Sequence, residues 1–198
     1  GTALSAGQKT YNGAIAVDVD KNPVKTMLEW AQEKGMATGL VATSTVTHAT
    51  PASFGAHVDY RKKEAEIAEQ FAVADIDVIL GGGKKFWPDS LISVYENRGG
   101  QFISDINSSI DSEKRLLGLF AESGLEKVHN GRAVSTTQMA KLALSKLEVD
   151  PDGFFVMIEE SQVDWGGHSN SAEYIKGEMK SLNELVDFAL DYQSTHPE

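Results

Sequence analysis

The sequence predicts an α/β fold in which a mostly parallel sheet is sandwiched between helices. Two observations indicate this fold. Helical segments with apolar side chains on one face alternate along the chain with short strand-like segments. Those strand-like segments are apolar and carry almost no charge, as is typical of parallel strands covered on both faces. No linker, repeat or low-complexity segment interrupts the alternation, so we expect a single α/β domain over residues 1–198.

The first half of the chain contains two predicted helix–strand pairs. Asn22 as N-cap and Pro23 at the first helical position predict the start of the first helix, and Gly35 predicts its end. The elements that follow are a strand at 39–43, a helix at 62–73 and a strand at 76–80.

The second half contains the strongest strand pattern of the sequence, at 154–158. A helix with Thr136 and Thr137 as its cap precedes this strand, and a long helix at about 171–192 follows it. The segment 84–132 shows no clear periodicity, and we assign no element there.

The composition excludes several classes of protein. The chain has 18 Lys and Arg against 29 Asp and Glu, a formal net charge of −11. Nucleic acids and anionic membrane surfaces are bound by positively charged surfaces, so neither is an expected partner. The absence of Cys excludes disulfides, thiolate metal ligands and a Cys nucleophile. No apolar run approaches the roughly 20 residues that a membrane-spanning helix needs.

Ionisable side chains follow the strand at 154–158. In open α/β sheets ligands bind beyond the carboxyl ends of the strands, which is where Glu159, Asp164 and His168 are expected. Asp164 and His168 converge if this segment forms one helical turn, and carboxylate oxygens and imidazole nitrogens bind metal ions. A metal site is one interpretation. The other is a polar loop whose acids cap the helix that begins near Ser171.

A second polar segment follows the strand at 39–43. It contains His48 and Thr50, and Arg61 lies eleven residues beyond Thr50. In one straight helix Thr50 and Arg61 would be ~16 Å apart, so a shared site requires the chain to bend back near Gly55. Alternatively, His48 is a structural residue, Thr50 is a helix N-cap and Arg61 belongs to a solvated basic patch. The remaining histidines have no partner at metal-ligand spacing and are expected to face solvent or cap helices: His57, His129 and His196.

Four segments, in this order along the chain, resemble the alkaline phosphatase family. Their spacing also matches, and together they extend from one end of the sequence to the other. Segment 2–13 resembles the stretch just after the family's nucleophilic serine, 46–52 its hATPA segment, 77–83 its DVILGGG segment and 155–168 its VEGxxID…H signature. The chain is identified on these motifs as a member of the family, with the family's α/β fold.

The resemblance implies roles for the residues of both polar segments. Thr50 and Glu159 match the ligands of the family's magnesium site. His48 matches a position that is Asp in some members and His in others, where it either binds the metal or holds a metal-bound water. Asp164 and His168 match two ligands of one of the two catalytic zinc ions.

Three further positions acquire an interpretation from the resemblance. Arg61 matches the arginine that clamps the substrate phosphate, a task that suits a planar bidentate donor. Trp165 falls where the family varies among Lys, His and Trp, and it is expected to shape the substrate pocket. Glu160 occupies a position that is usually Gly, a departure from the family pattern.

The implied activity is phosphate monoester hydrolysis through a phosphoserine intermediate, with two zinc ions and one magnesium ion. The nucleophilic serine is expected upstream of Gly1, and the remaining zinc ligands are expected after residue 198. Residues 1–198 would then be the central part of a single catalytic domain, without a catalytic nucleophile and inactive in isolation.

Two alternatives stay open. One is a sister phosphodiesterase or sulfatase-type hydrolase of the same superfamily, although those relatives generally lack the Thr50–Glu159 pair. The other is a non-catalytic metal-binding fragment. The resemblance also implies that the parent protein is periplasmic or secreted, and the family often forms homodimers.

Overall fold

The structure, a computed structural model, describes residues 1–196 and contains a five-stranded sheet flanked by helices. The strands are β1 (Ala37–Thr45), β2 (Val78–Gly82), β3 (Gly100–Ile103), β4 (Arg115–Leu119) and β5 (Phe154–Glu159). The helices are α1 (Thr2–Ala6), α2 (Met27–Glu33), α3 (Ala49–Gly55), α4 (Glu64–Val73), α5 (Asp89–Asn97), α6 (Thr136–Leu147), α7 (Gln162–His168) and α8 (Ala172–Thr195). Short 3₁₀ turns cover Lys84–Phe86 and Val128–Asn130.

The sheet is parallel throughout, with the strand order β3-β4-β2-β1-β5. The predicted α/β fold is therefore confirmed. All three predicted strands are present, and β1 extends beyond the predicted bounds at both ends. No helix within residues 1–196 combines the length and the apolar character that a bilayer crossing requires.

Apolar clusters cover both faces of the sheet. Successive residues of a strand point to opposite faces. Leu40 of β1 and Ile79 of β2 belong to one cluster, which includes side chains of α3 and α4. Their neighbours Val41 and Leu80 belong to the other cluster, which includes side chains of α6. This two-sided burial explains why the central strands β1 and β2 carry no charged residue.

The first predicted helix, α2, begins later than the sequence indicates. Thr26, not Asn22, is its N-cap, because Thr26 and Glu29 form a capping box. The Thr26 hydroxyl accepts the Glu29 N–H at 3.2 Å, and the Glu29 carboxylate accepts the Thr26 N–H at 2.8 Å. Pro23 instead pairs with Val17 in an isolated antiparallel bridge. The capping box satisfies two backbone N–H groups, and this stabilises a helix start at Thr26 over the start that Asn22 and Pro23 predict.

The second half differs from the prediction in two places. The N-cap of α6 is Ser135, in a capping box with Gln138, and Thr136 is the first helical residue. The segment 84–132, to which the sequence assigned no element, contains α5, β3 and β4. β3 and β4 have four and five residues, which is too few to show the alternation of apolar and polar side chains that identifies a strand.

Candidate functional site

The carboxyl ends of β1 and β5 lie side by side and position the candidate site. The two strands pair in parallel, and the last pair of the register joins Ala42 to Glu159. Just beyond it, the Ser44 N–H donates to the Ser161 hydroxyl at 3.2 Å, and that hydroxyl donates to the Glu159 carboxylate at 2.6 Å. Ser161, which sequence reasoning missed, therefore sets the orientation of Glu159 relative to β1.

His48, in the polar segment after β1, contacts the polar segment that follows β5. Its ring packs edge-on against Trp165, with the ring centroids 5.8 Å apart. Arg61 Nη2 donates to His48 Nε2 at 3.2 Å. Because a guanidinium only donates, Nε2 accepts, and the neutral ring carries its proton on Nδ1. Burial, and then the positive charge of Arg61, lower the pKa of His48, which keeps the ring neutral at pH 7.

His48 Nδ1 is buried and has no hydrogen-bond partner among the described residues. A buried donor without a partner is costly, so a polar group such as a water molecule is expected to contact this atom.

The chain does bend back between Thr50 and Arg61, as a shared site requires. α3 ends at Gly55, where a Cβ would lie 2.7 Å from Ile76 Cδ1, so a larger residue would clash with the core. The Arg61 N–H then donates to the Gly13 carbonyl at 2.7 Å. This return path brings the Arg61 side chain to His48, and Arg61 also lines a polar cavity of about 260 Å³ with Lys9, Asn12 and Ser53.

Glu64 fixes the end of β1 to the start of α4. Its carboxylate accepts hydrogen bonds from the hydroxyls of Thr45 and Thr47, the latter at 2.7 Å. Glu64 lies three residues after Arg61, so this contact restrains the segment that carries the guanidinium. Sequence reasoning missed Glu64. The signal that could have found it is the pair of hydroxyl residues two positions apart at the end of a buried strand.

Asp164 and His168 form the helical turn that their spacing predicted. Both lie on α7, and Asp164 Oδ2 is 3.4 Å from His168 Nε2. The two side chains are 74% and 80% exposed. The acids of this segment do not cap α8, whose N-cap is the Ser171 hydroxyl. The capping interpretation is therefore wrong, and the two side chains are free to bind a ligand.

Thr50 lies in the first turn of α3, directly after the His48 N-cap and Ala49. Its predicted alternative role as the N-cap is wrong. Across residues 1–196, no three His, Asp or Glu side chains lie close enough together to hold one metal ion. Glu159 and Thr50 offer oxygen ligands to a hard cation, whereas Asp164 and His168 supply only two of the four ligands that zinc takes.

Comparisons with known proteins agree with the predicted family. The family model described as alkaline phosphatase matches residues 1–198. Alkaline phosphatase 3 of Bacillus subtilis is 43% identical over 203 residues, which cover 96% of this chain and 44% of that protein. A cold-active alkaline phosphatase from a psychrophilic Shewanella sp. matches with a TM-score of 0.96 and 38% identity, over 100% of this chain and 50% of that chain.

A third relative was solved with a metal ion. It is a histidine-to-glutamate mutant of the TAB5 alkaline phosphatase with Mg bound in its M3 site, and it matches 98% of this chain and 58% of that chain with a TM-score of 0.92. The chain spans about half the length of the relatives it matches. Since the family model covers every residue and the fold agrees over the same length, the chain belongs to the alkaline phosphatase family.

Proposed function

We propose that this chain is the central part of the catalytic domain of an enzyme that hydrolyses phosphate monoesters. The observation that carries the proposal is the Arg61–His48 contact of 3.2 Å at the carboxyl end of the sheet. It places a guanidinium beside the segment that holds Thr50 and next to a polar cavity. The planar donor fork of Arg matches two oxygens of a phosphate group.

Glu159 and Thr50 would hold the magnesium ion. Mg²⁺ is typically bound by one or two carboxylates and keeps several waters, so this small oxygen set fits. His48, with a proton on its unpartnered Nδ1, would hold one of those waters rather than bind the ion directly. Asp164 and His168 would bind one zinc ion together with ligands from outside the described residues.

In the proposed reaction, Arg61 binds the phosphate group and orients it, and Trp165 forms a wall of the pocket beside His48. The bound metal ions would supply positive charge to the attacking and leaving oxygens. None of residues 1–198 matches the family's nucleophilic serine. We therefore expect these residues alone to show no turnover, and the phosphoserine would form on a residue of the longer protein.

The test compares the full-length gene product with residues 1–198. The full-length, metal-loaded protein should hydrolyse p-nitrophenyl phosphate at alkaline pH and lose activity with a chelator, whereas residues 1–198 should be inactive. Absence of hydrolysis by the loaded full-length protein would contradict the proposal. Faster hydrolysis of a phosphodiester or a sulfate ester than of the monoester would support the sister-hydrolase alternative instead.

We further propose a periplasmic or secreted location and a homodimer for the parent protein, on the family resemblance alone. Cell fractionation checks the location. Light scattering of the full-length protein checks the assembly.

A further inference from the structure

A buried charged cluster lies under the turn that joins β5 to α7. It consists of Arg132, Glu160 and Glu178, and we call it the β5–α7 anchor. Arg132 Nη1 donates to the Glu160 carboxylate at 2.8 Å, and Nη2 donates to the Glu178 carboxylate. The three side chains are 3%, 2% and 0% exposed. Charges buried this deeply persist only when they are paired and hydrogen-bonded, so the geometry of the cluster is tightly specified.

Glu160 is the member of the anchor that lies on the turn itself. Besides the Arg132 donor, its carboxylate accepts hydrogen bonds from the hydroxyl of Thr136 and, at 3.1 Å, from the hydroxyl of Ser181. These donors belong to the loop before α6, to the first residue of α6 and to α8. The turn cannot shift without breaking a contact to at least one of these elements.

Glu160 lies in the sequence between the proposed magnesium ligand and the residue that orients this ligand. Glu159 precedes it, and Ser161, which orients the Glu159 carboxylate, follows it. α7 begins at the next residue, Gln162, and carries Asp164 in its first turn. Restraining the backbone at Glu160 therefore restrains the direction of the Glu159 side chain and the start of α7.

We propose that Glu160 is a positioning residue for the cation site at Glu159, an inference that rests on the proposed function. Its contacts with Arg132, Thr136 and Ser181 hold the turn in the conformation that presents the Glu159 carboxylate to a divalent cation. Glu160 itself does not touch the cation. Loss of one donor to Glu160 weakens cation binding while the rest of the fold is retained.

The Thr136 hydroxyl allows a sharp test. Thr136→Val removes one donor to Glu160 and keeps the branched shape of a fully buried side chain, whereas Thr136→Ser keeps the donor. Calorimetric titration of the 198-residue chain with MgCl₂ should show binding weaker by up to about tenfold for Thr136→Val, because Thr136 supports Glu160 and, through it, the ligand Glu159. Thr136→Ser should stay within about twofold of the wild type.

Two further measurements separate positioning from general stability. Glu178→Gln weakens only the ion pair of Arg132 Nη2 and keeps every donor to Glu160, so it should lower the melting temperature and leave the Mg²⁺ affinity unchanged. Hydrogen exchange of the peptide that covers residues 159–164 should be faster in Thr136→Val than in wild type, with exchange of β1 unchanged.

The outcomes distinguish this inference from the proposed function. If the wild-type chain binds no Mg²⁺, the proposed magnesium site and the role of Glu160 both fail. If the wild type binds and Thr136→Val binds equally well, the positioning role is overturned while the proposed function stands. Equal losses of affinity in Thr136→Val, Thr136→Ser and Glu178→Gln would reflect destabilisation of the whole cluster, and they would overturn the positioning role as well.

Discussion

At the scale of single residues, Arg61 combines two effects at the candidate site. It donates to His48, and its charge lowers the pKa of that histidine. A guanidinium held by a neutral imidazole keeps most of its donors available for another acceptor, because only one of its five N–H groups is used in this contact. This arrangement leaves the guanidinium fork free to bind a phosphate group.

Replacing Arg61 should therefore weaken phosphate binding. In the full-length protein, Arg61→Ala should raise KM for p-nitrophenyl phosphate about 10- to 100-fold, the equivalent of about 1.5–3 kcal/mol for charge-assisted hydrogen bonds. Arg61→Lys keeps the charge but lacks the fork, so its KM should lie between those of Arg61→Ala and the wild type. Steady-state kinetics checks both, and an unchanged KM in Arg61→Ala would remove Arg61 from the substrate site.

His57 was expected from the sequence to face solvent or to cap a helix, but the structure shows a largely buried ring. Its Nδ1 donates to the Ala16 carbonyl at 2.7 Å and its Nε2 donates to the Glu29 carboxylate at 2.8 Å. Because both partners are acceptors, both contacts are satisfied together only when the ring carries both protons. The hydrogen bond to Glu29 raises the pKa of His57 above its ordinary value. Sequence spacing could not reveal this contact, since Glu29 is 28 positions away.

The raised pKa of His57 predicts a pH-dependent stability. The unfolded chain binds this proton with a pKa near 6.5, so the stabilisation is fully present below about pH 6.5 and is lost as the pH rises through the folded-state pKa. Wild type should exceed His57→Gln in unfolding free energy by about 1 kcal/mol at pH 5.5 and by less at pH 9. Urea titrations at the two pH values test this, and a difference that grows with pH would contradict it.

At the scale of elements, the start of α2 depends on a contact outside the helix. The Thr26 hydroxyl accepts the Glu29 N–H, and it also donates to the Phe54 carbonyl near the end of α3 at 2.6 Å. The cap therefore ties α2 to α3, and α3 carries Thr50. Local sequence favours Asn22-Pro23 as the start, but the buried contact with Phe54 favours Thr26.

Loss of this hydroxyl should destabilise the fold. Thr26→Ala should lower the free energy of unfolding by about 1–2 kcal/mol, since the cap is lost and the buried Phe54 carbonyl loses its donor. Thr26→Ser retains the hydroxyl and should cost less than half as much. Urea unfolding followed by circular dichroism measures both, and equal losses would show that the methyl group, not the hydroxyl, is responsible.

At the scale of the whole molecule, the charge distribution is matched to the proposed chemistry. The chain carries a net charge of −11, which repels anionic phosphate esters at long range. Positive charge must therefore be supplied locally, by Arg61 and by cations bound to carboxylates such as Glu159. Cation binding also relieves the cost of a carboxylate at the end of an apolar strand.

Mg²⁺ should accordingly stabilise the whole chain. At 100 times its dissociation constant a ligand adds about 2.7 kcal/mol, which for a chain of this size corresponds to a rise in Tm of roughly 5–10 °C. Calorimetric scans with MgCl₂ and with EDTA measure the rise. Glu159→Gln should abolish it and Asp164→Asn should retain it, so an equal rise in Glu159→Gln would place Mg²⁺ at another site.

The sequence by itself determined the fold class, because apolar strands buried on both faces and helices with one apolar face are local patterns. It also determined which residues gather at the carboxyl ends of β1 and β5, since neighbouring parallel strands end at the same edge. The turn of α7 that joins Asp164 to His168, and the return of the chain after Gly55, were only conditions that a shared site would require, and the structure contains both.

Only the tertiary structure decided which polar groups pair across the fold. Arg132 lies 28 positions from Glu160 and 46 from Glu178, and Thr45 lies 19 positions from Glu64. No periodic pattern links such positions. Their pairing follows from burial, because a charge or hydroxyl enclosed by packed helices must find its partner among the groups that the fold brings within reach.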